Sequence, residues 1–466
     1  MAGVPTSRAC NACREQKKKC DGQKPTCGRC KRLQLACVGN GLRRFNFKRE
    51  NFQVVQGRAR QASKAQVTGP LRPGPSNTET QLISRLVSTL EIKDIRYDIM
   101  SYGTFILDLP RHVGSSPAVD ASIAALVSSF DVLRDTRSRP GALALHINAV
   151  STLRKSLQDT SQACTTSNMA AIWLIYVCKH LNGANDQSVS HGEVLVYLIY
   201  ETAKTGQLDN IDPILLQLLS VATVCESFLN PRIHLDQNFW DIINKHGLPR
   251  PMMNAKGHAM LSVEPQTAAE IAFYIRDTEK YLYQIRCTYN ILLADYPVLV
   301  TIVEKVSKDA LQPGASLRTL RISSRYYAAF GVMLALTCTV NRVIRIYDGA
   351  IPELATTAKR LVDDIISNAE SCNKYRPISA GFMPVALMAA WASTPDGYRT
   401  AEIESWLITY QSDFESEDYM QWARNTKQAY QKIEERWLAK MGRPAMTEMG
   451  GDKGDFDPSK EGCTIL

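Results

Sequence analysis

Residues 10–37, CNACREQKKKCDGQKPTCGRCKRLQLAC, place six cysteines in two copies of one spacing, C-x2-C-x6-C, which begin 17 residues apart. A disulfide framework does not require such a repeat, whereas two metal ions that share six thiolates do. Two separate four-coordinate Zn²⁺ ions would need eight ligands, and six are enough if two sulfurs bridge the ions. The repeat makes the bridging pair a matched pair, and Cys10 and Cys27, which open the two copies, are the candidates.

A single zinc site is the main alternative for these cysteines. Cys10, Cys13, Cys27 and Cys30 alone form C-x2-C-x13-C-x2-C, which suits one site with four cysteine ligands and is similar to the first module of nuclear-receptor DNA-binding domains. This interpretation leaves the third cysteine of each copy unused, and no second four-cysteine module follows. A redox C-x-x-C pair or a chance spacing explains less, because neither accounts for the repeat of the whole pattern. The repeat therefore favours two ions.

The charge of the chain is unevenly divided. Residues 1–72 hold 17 Lys and Arg against three acidic residues, a net charge of +14, whereas the other 394 residues hold 38 basic and 43 acidic residues, a net charge of −5. Two Zn²⁺ ions and six thiolates add −2, so the loaded segment stays near +12. A compact and strongly positive segment beside an acidic body indicates a polyanionic partner.

The cysteine stretch, ACNACREQKKKCDGQKPTCGRCKRLQLAC, resembles the fungal Zn₂Cys₆ binuclear cluster family of transcription factors. The resemblance implies that one zinc is held by Cys10, Cys13, Cys20 and Cys27 and the other by Cys10, Cys27, Cys30 and Cys37. It also implies that each half is a short helix followed by an extended segment, with Pro25 in the connecting loop. Because this segment has almost no apolar core of its own, its expected cofactor, two Zn²⁺ ions, should supply its folding energy.

The two copies carry different residues between their cysteines. Overlaying them pairs Lys17 with Gln34, Lys18 with Leu35 and Lys19 with Ala36. Metal binding alone requires neither set of residues. We therefore assign the first half to double-stranded DNA and the second half, through Leu33 and Leu35, to packing.

The resemblance also implies which residues contact DNA. In the family, lysines at the end of the first helix enter the major groove, where a lysine donates to guanine O6 and N7. Lys17 occupies the position of the base-reading lysine, with Lys18 beside it, and a CGG-like triplet is the expected target. Gln16 departs from the family, which usually has Arg or Lys there. The predicted phosphate contacts, which position the protein without reading sequence, are Arg14, Lys19, Lys31 and Arg32.

The sequence predicts four segments. They are a DNA-binding domain at residues 1–40, a basic linker containing Pro and Gly at 41–76, an all-α regulatory domain at 77–440 and a disordered tail at 441–466. The linker begins with basic and aromatic residues at 42–52 that suit DNA backbone contact, nuclear import or anchoring on the body. Leu82, Leu86 and Leu90 form a stripe too short for a leucine zipper, so any homodimer should form through the body.

Helix signals recur along the body. Ser116 and Pro117 read as the N-cap and first residue of a helix whose apolar face is Ile123, Leu126, Val127 and Phe130. Another stripe, after Pro352, consists of Leu361, Val362, Ile365 and Ile366, and residues 214–225 and 326–338 are typical of buried helices. Residues 105–130 resemble the entry to the helical regulatory region of fungal zinc-cluster proteins.

The body carries no recognisable catalytic motif. Its seven histidines are dispersed, and the chain has no H-E-x-x-H, G-x-S-x-G, P-loop or G-x-G-x-x-G sequence, so we expect no enzyme activity. Cys178, Cys225 and Cys338 lie in apolar stretches and should be buried free thiols. An effector pocket between the helices is expected, but the sequence does not locate it.

Three further features concern the surface and the membrane. The acidic and aromatic residues 412–422 suit an exposed helix start better than an activation-type surface. The last four residues, CTIL, fit a prenylation motif, but no polybasic stretch precedes them and we interpret the match as chance. The N-terminus has no apolar signal region, and the uncharged run at 326–340 is 15 residues long, too short for a bilayer span.

These observations predict a nuclear, sequence-specific regulator of RNA polymerase II genes with a zinc cluster and a helical body. Its expected partners are double-stranded DNA, a second copy of the chain, a small-molecule effector and the transcription machinery, and no membrane. Two alternatives remain open: a helical enzyme or small-molecule sensor tethered to DNA by the cluster, and a module that uses the cluster for protein contacts.

Overall fold

The computed structural model describes residues 9–37, 77–134, 138–158, 164–182, 191–247, 252–253, 259–414 and 418–442. The chain divides into two units, residues 1–72 and 73–466. The predicted linker at 41–76, its basic and aromatic segment, and the CTIL motif lie outside the described residues, as does the tail beyond residue 442.

The described part of the first unit contains two short helices, α1 Asn11–Glu15 and α2 Gly28–Arg32. Each begins one residue after the first cysteine of its copy. Helix α2 starts where Cys27 accepts a hydrogen bond at its Sγ from the N–H of Cys30, at 3.4 Å. The side chain of a predicted metal ligand thus also serves as the N-cap of this helix.

The described residues of the second unit are mostly helical, as predicted, and the β structure among them is limited to an antiparallel bridge between Met253 and Ala259. Its α-helices are α3 Thr78–Leu90, α4 Leu109–His112, α5 Pro117–Val132, α6 Arg139–Gln158, α7 Thr166–Asn182, α8 His191–Lys204, α9 Pro213–Ser227, α10 Gln237–His246, α11 Pro265–Tyr274, α12 Leu282–Ala310, α13 Leu317–Tyr347, α14 Pro352–Cys372, α15 Met383–Ser393, α16 Thr400–Gln411 and α17 Tyr419–Lys440. Short 3₁₀ helices are Ile95–Tyr97, Ile99–Tyr102, Thr104–Asp108, Leu208–Asn210, Leu261–Val263, Ile275–Asp277, Asn373–Tyr375 and Pro395–Gly397.

Helix α5 begins as the sequence predicts. The Ser116 Oγ accepts hydrogen bonds from the N–H groups of Ala118 and Val119 at 3.2 and 3.3 Å, and Pro117 fills the first helical position, where a missing N–H costs nothing. The predicted apolar face is buried: Ile123, Leu126, Val127 and Phe130 are each at most 2% exposed. The second predicted stripe, Leu361, Val362, Ile365 and Ile366, is buried on α14.

The apolar faces meet in one core. Helix α5 packs against α6 and α7, whereas α13 packs against α12, α14 and α15, and α17 closes over α15. The buried apolar residues of the second unit form one continuous cluster. Its hydrophobic burial is the main favourable term in the stability of this unit.

Helix α13 contains the predicted buried run. The helix as a whole is long and apolar enough to cross a membrane by length and composition, although the uncharged run alone is too short. However, 78% of its apolar window is buried inside the unit. It therefore packs as the central helix of a protein core.

The leucine stripe of α3 also joins this core. Leu86 is fully buried, and Leu82 and Leu90 are partly buried against the same cluster. Helix α3 packs on α5. The stripe is thus covered by its own chain, which gives a physical reason, beyond its short length, why it does not suit a zipper.

The thiols of the body follow the prediction in part. Cys178 and Cys338 are buried and free, but Cys225 is exposed, which corrects the expectation for that residue. On α9 the side chains at 221 and 225, one helical turn apart, both lie on the outward face, whereas Leu215 and Leu219 face the core. The apolar sequence around Cys225 did not indicate this face.

The acidic segment before α17 is partly structural. The Asp413 carboxylate accepts two hydrogen bonds from Arg376, at 2.6 and 2.9 Å, and Phe414 is only 4% exposed. Asp418 caps α17 by accepting from the N–H of Gln421 at 2.9 Å. Residues 415–417 lie outside the description. The described ends of this segment therefore contribute to packing and helix capping.

Candidate zinc centre and DNA interface

The two cysteine copies fold in the same way locally. The N–H of Lys18 donates to the carbonyl of Cys13 at 2.8 Å, and the N–H of Leu35 donates to the carbonyl of Cys30 at 3.0 Å. This six-to-one bond is typical of a helix that ends in a residue of left-handed conformation. That residue is Lys17 in the first copy, with φ 51°, and Gln34 in the second, with φ 50°.

In each copy the left-handed residue ends the helix and redirects the chain. A left-handed conformation costs a non-glycine residue about 1–2 kcal/mol. It stops the helix and reverses the chain, so that the third cysteine of the copy returns to the other two. Lys17, the predicted base-reading residue, is therefore also the turn residue of the first half.

The structure brings all six cysteines of the repeat together. Two groups of four have their Sγ atoms within 4.8 Å of one another; they are Cys10, Cys13, Cys20 and Cys27, and Cys10, Cys27, Cys30 and Cys37. Cys10 and Cys27 belong to both groups, and their Sγ atoms are 3.8 Å apart. This is the shared pair that the matched spacing indicates.

The donor set fits two zinc ions. Tetrahedral coordination with Zn–S bonds of about 2.3 Å places neighbouring sulfurs about 3.8 Å apart. The observed Sγ–Sγ distances are 3.5 Å between Cys10 and Cys30, 3.7 Å between Cys13 and Cys27, and 3.8 Å for the shared pair. Six thiols in two groups that share two members supply four ligands to each ion, with no further donor required.

The two shared sulfurs differ electrostatically from their neighbours. A backbone N–H from Cys13 lowers the pKa of Cys10, and a backbone N–H from Cys30 lowers the pKa of Cys27. Burial instead raises the pKa of Cys13 to about 11. A backbone N–H thus favours the thiolate at each of the two sulfurs that would face two cations, while zinc binding must displace a proton from Cys13.

Asp21 connects the first copy to the second. Its carboxylate accepts from the N–H of Gly28 at 2.9 Å, at the start of α2. A Cβ at residue 28 would lie 2.6 Å from the Asp21 Oδ2, so a larger residue there would displace this carboxylate. The carboxylate also suits the positive end of α2. Neither Asp21 nor Gly28 was singled out from the sequence, because the contact joins residues seven positions apart across a loop.

The predicted DNA residues lie on the surface. Lys17, Lys18 and Lys19 are exposed, as are Lys31 and Arg32 of the second half. Of Arg14 only the backbone, within α1, is described. Their contacts with DNA stay predictions.

The packing role assigned to the second half is right for one leucine and wrong for the other. Leu35 packs against the cysteine cluster, but Leu33 is 48% exposed. Leu33 directly follows α2 and its N–H still bonds to the Arg29 carbonyl, so its side chain continues the outer surface of the helix. Leu35, which follows the left-handed residue Gln34, is the leucine that points back to the sulfurs.

Gln16 and Arg29 form a contact that the sequence did not predict. The Arg29 Nη2 donates to the Gln16 Oε1 at 2.6 Å, and its Nη1 lies 4.0 Å from the Cys13 Sγ. The departure at position 16 thus has a partner in the other half of the cluster. The only indication of this contact in the sequence was the uncharged residue at position 16, where the family usually has Arg or Lys.

Residues 8–44 match the family model of the fungal Zn(2)-Cys(6) binuclear cluster domain. No curated protein and no solved structure matches the chain. The matched residues do not reach the helical body, so the resemblance at 105–130 stays a prediction. The six gathered thiols and the family match lead to one conclusion: the chain carries a fungal-type Zn(2)-Cys(6) binuclear cluster domain, which binds two zinc ions and implies a DNA-binding transcription regulator.

Proposed function

We propose that the protein acts in the nucleus and regulates RNA polymerase II genes by reading a GC-rich, CGG-like triplet in the major groove. The observation that carries this proposal is the exposed run Lys17, Lys18 and Lys19, which begins two residues after the end of α1 and lies next to the two-zinc site. The matching positions of the second half are Gln34, Leu35 and Ala36, which carry no charge.

The geometry of Lys17 supports a base contact. Its side chain is exposed, and no carboxylate of the described residues pairs with it or with its two neighbours. A lysine with a free ammonium group can donate to guanine O6 and N7. Its backbone is held at φ 51° by the bond from Lys18 to Cys13, which itself would ligate zinc. The zinc centre therefore determines the direction in which Lys17 leaves the module.

Lys19, Lys31, Arg32 and Arg14 are proposed to contact phosphates. Such contacts give affinity that falls with salt and does not depend on sequence. The helical body, in this proposal, regulates rather than catalyses: it binds a small-molecule effector, contacts the transcription machinery and forms the homodimer. Within the body, the Nδ1 of His180 forms a hydrogen bond with the Tyr102 OH at 2.8 Å, and its ring packs on Phe414.

The two left-handed residues provide a matched pair of variants. Glycine suits a positive φ, so Lys17→Gly and Gln34→Gly each remove an exposed side chain without straining the turn. Zinc-loaded full-length wild type and both variants would select binding sites from a random DNA library. We expect Gln34→Gly to select the wild-type triplet. Lys17→Gly should lose roughly 5- to 150-fold of its preference for that triplet, the equivalent of one good base contact.

Zinc content measured on the same samples shows whether the cluster is intact. Two zinc ions per chain are expected in both variants. If Lys17→Gly retains both its zinc and the wild-type triplet preference, the assignment of Lys17 as the base-reading residue is wrong. If the wild type selects no triplet at all, the proposal of sequence-specific regulation fails as a whole.

A further inference from the structure

The contact between Gln16 and Arg29 joins the two halves of the cluster at the residue that precedes Lys17. Gln16 lies between α1 and Lys17, whereas Arg29 lies within α2. The 2.6 Å hydrogen bond from the Arg29 Nη2 to the Gln16 Oε1 places the guanidinium beside the end of the first half. A basic residue of the second half is therefore held next to the base-reading segment.

The charge of Arg29 is available for a ligand. No carboxylate of the described residues forms an ion pair with it, since Asp21 bonds to the start of α2. Its guanidinium has five N–H donors in a planar fork, and only Nη1 and Nη2 are engaged, the former weakly with the Cys13 Sγ at 4.0 Å. The side chain is partly exposed, so the remaining donors can reach a phosphate oxygen.

The uncharged residue at position 16 is compatible with this arrangement where a basic one is not. Lysine or arginine at position 16 would bring a second cation to the site now held by an accepting amide oxygen, and two like charges at this separation repel. Gln16 accepts from Arg29 and orients it. Position 16 and position 29 thus act as one unit with a single positive charge.

We propose that Arg29 is a phosphate-contacting residue of the DNA interface and that Gln16 is its positioning residue, so that the second half supplies the charge which position 16 lacks. This inference rests on the proposed function, because it assumes that the first half faces DNA. It adds a DNA contact that the motif alone does not predict, and it explains why glutamine stands at position 16 instead of the usual Arg or Lys.

The test is a double-mutant cycle on the zinc-loaded full-length protein, with DNA affinity measured over a range of salt concentrations. Arg29→Ala should weaken binding to all sequences similarly and reduce the slope of log K against log[salt] by about one. Gln16→Ala removes no charge, yet it should weaken binding several-fold through Arg29. The double variant should then lose less than the product of the two single losses.

Lys31→Ala provides the matched control, because Lys31 lies on the same helix two residues from Arg29 and makes no contact with Gln16 in the structure. Its loss and that of Gln16→Ala should multiply. A second variant, Gln16→Lys, adds a charge but displaces Arg29, and we expect the salt slope to stay near the wild-type value rather than to rise by about one.

Several results would overturn the inference. One is a multiplicative combination of Gln16→Ala with Arg29→Ala, and another is an unchanged salt slope in Arg29→Ala. Loss of zinc from Arg29→Ala would show that Arg29 serves the cluster through the Cys13 Sγ instead. A wild type that binds DNA without sequence preference would instead count against the proposed function, which keeps the two failures distinct.

Discussion

The two units are stabilised by different means. In the described residues of the cluster unit, the only buried side chains are the thiols of Cys10, Cys13, Cys27 and Cys30. In the helical body, buried Leu, Ile, Phe and Tyr side chains from many helices form one core. The first unit therefore depends on a cofactor for its stability, whereas the second depends on the burial of apolar surface.

The two units also differ in net charge. Residues 1–72 carry a net charge of +14, and the rest of the chain carries −5. The repulsion among the lysines of a small positive unit opposes folding, and two Zn²⁺ ions bound by six thiolates offset part of it with a net charge of −2. A unit that is held by metal can thus leave most of its side chains on the surface for DNA, because few of them are required for a core.

The largest effect that separates the units is expected from loss of zinc. Structural zinc contributes about 10–16 kcal/mol of apparent free energy in small zinc-dependent domains. Chelation of zinc, or Cys10→Ser at a shared sulfur, should abolish DNA binding and unfold the cluster unit. The helical content and melting temperature of the body, followed by circular dichroism, should change little.

Cys225→Ser is the matched control for the loss of a thiol, because Cys225 is an exposed cysteine of the body. It should keep two zinc ions per chain and bind DNA as the wild type does. If Cys10→Ser still held two zinc ions, the assignment of Cys10 to both metal sites would be wrong. If chelation melted the body, the two units would not be independently stabilised.

A substitution in the core of the body should destabilise the body and leave the zinc content unchanged, which is the opposite of the effect of zinc loss. Phe130 on α5 is 1% exposed, and its ring centroid lies 6.5 Å from that of Tyr97 in a T-shaped arrangement. Phe130→Ala removes buried surface and leaves a cavity, at a cost of about 3–5 kcal/mol in the free energy of unfolding of the body. Denaturant unfolding measures this loss, and the zinc content should stay at two ions per chain.

Leu143→Ala is the control for this core substitution, since Leu143 on α6 is 44% exposed. It should change the free energy of unfolding by about 0.5 kcal/mol or less. A similar loss from both variants would contradict the packing of α5 described above.

Sequence reasoning succeeded where local pattern decides structure. The spacing of six cysteines indicated a shared metal site, and the Ser116 cap with its apolar stripe predicted α5 and its buried face. Both features depend on residues close together in the chain, where helical periodicity or ligand spacing is decisive.

Prediction from sequence failed where a contact joins residues that are distant in the chain. Whether Leu33 is buried depends on the direction that the chain takes after α2, and the exposure of Cys225 depends on which face of α9 its neighbours cover. The bond of Arg29 to Gln16 crosses from one half of the cluster to the other. Hydrophobicity and spacing carry no information about such neighbours.

Acid should destabilise the body through His180. Burial lowers the pKa of this histidine to about 4, below its usual value near 6.5. Between these values the unfolded chain binds a proton that the folded body excludes. The contribution of His180 to stability is therefore complete above about pH 6.5 and is lost as the pH falls to about 4, by up to about 3 kcal/mol.

The comparison with His180→Gln isolates this effect, because other groups titrate in the same range in both proteins. Free energies of unfolding measured from pH 7 to 4 should fall more steeply in the wild type than in His180→Gln. Tyr102→Phe, which removes the hydroxyl partner of the histidine but not the titrating group, should retain the steep dependence. Equal slopes in wild type and His180→Gln would show that the ring is protonated in the folded body.

The smallest predicted effect is the loss of the Ser116 cap, which contrasts with the cap of α2. Ser116 caps α5 with its Oγ, whereas Cys27 caps α2 with a sulfur that also belongs to both metal groups. Ser116→Ala should lower the free energy of unfolding of the body by about 1 kcal/mol, and Ser116→Gly by only a few tenths, because glycine lets water reach the free N–H groups of the first turn.

Cys27→Ser keeps a good capping oxygen, so it should lose little from the cap, yet it should lose both zinc ions and DNA binding. If Cys27→Ser kept its zinc, capping and coordination at this residue would be separable, and the cluster unit would depend on local helix signals in the way that the body does.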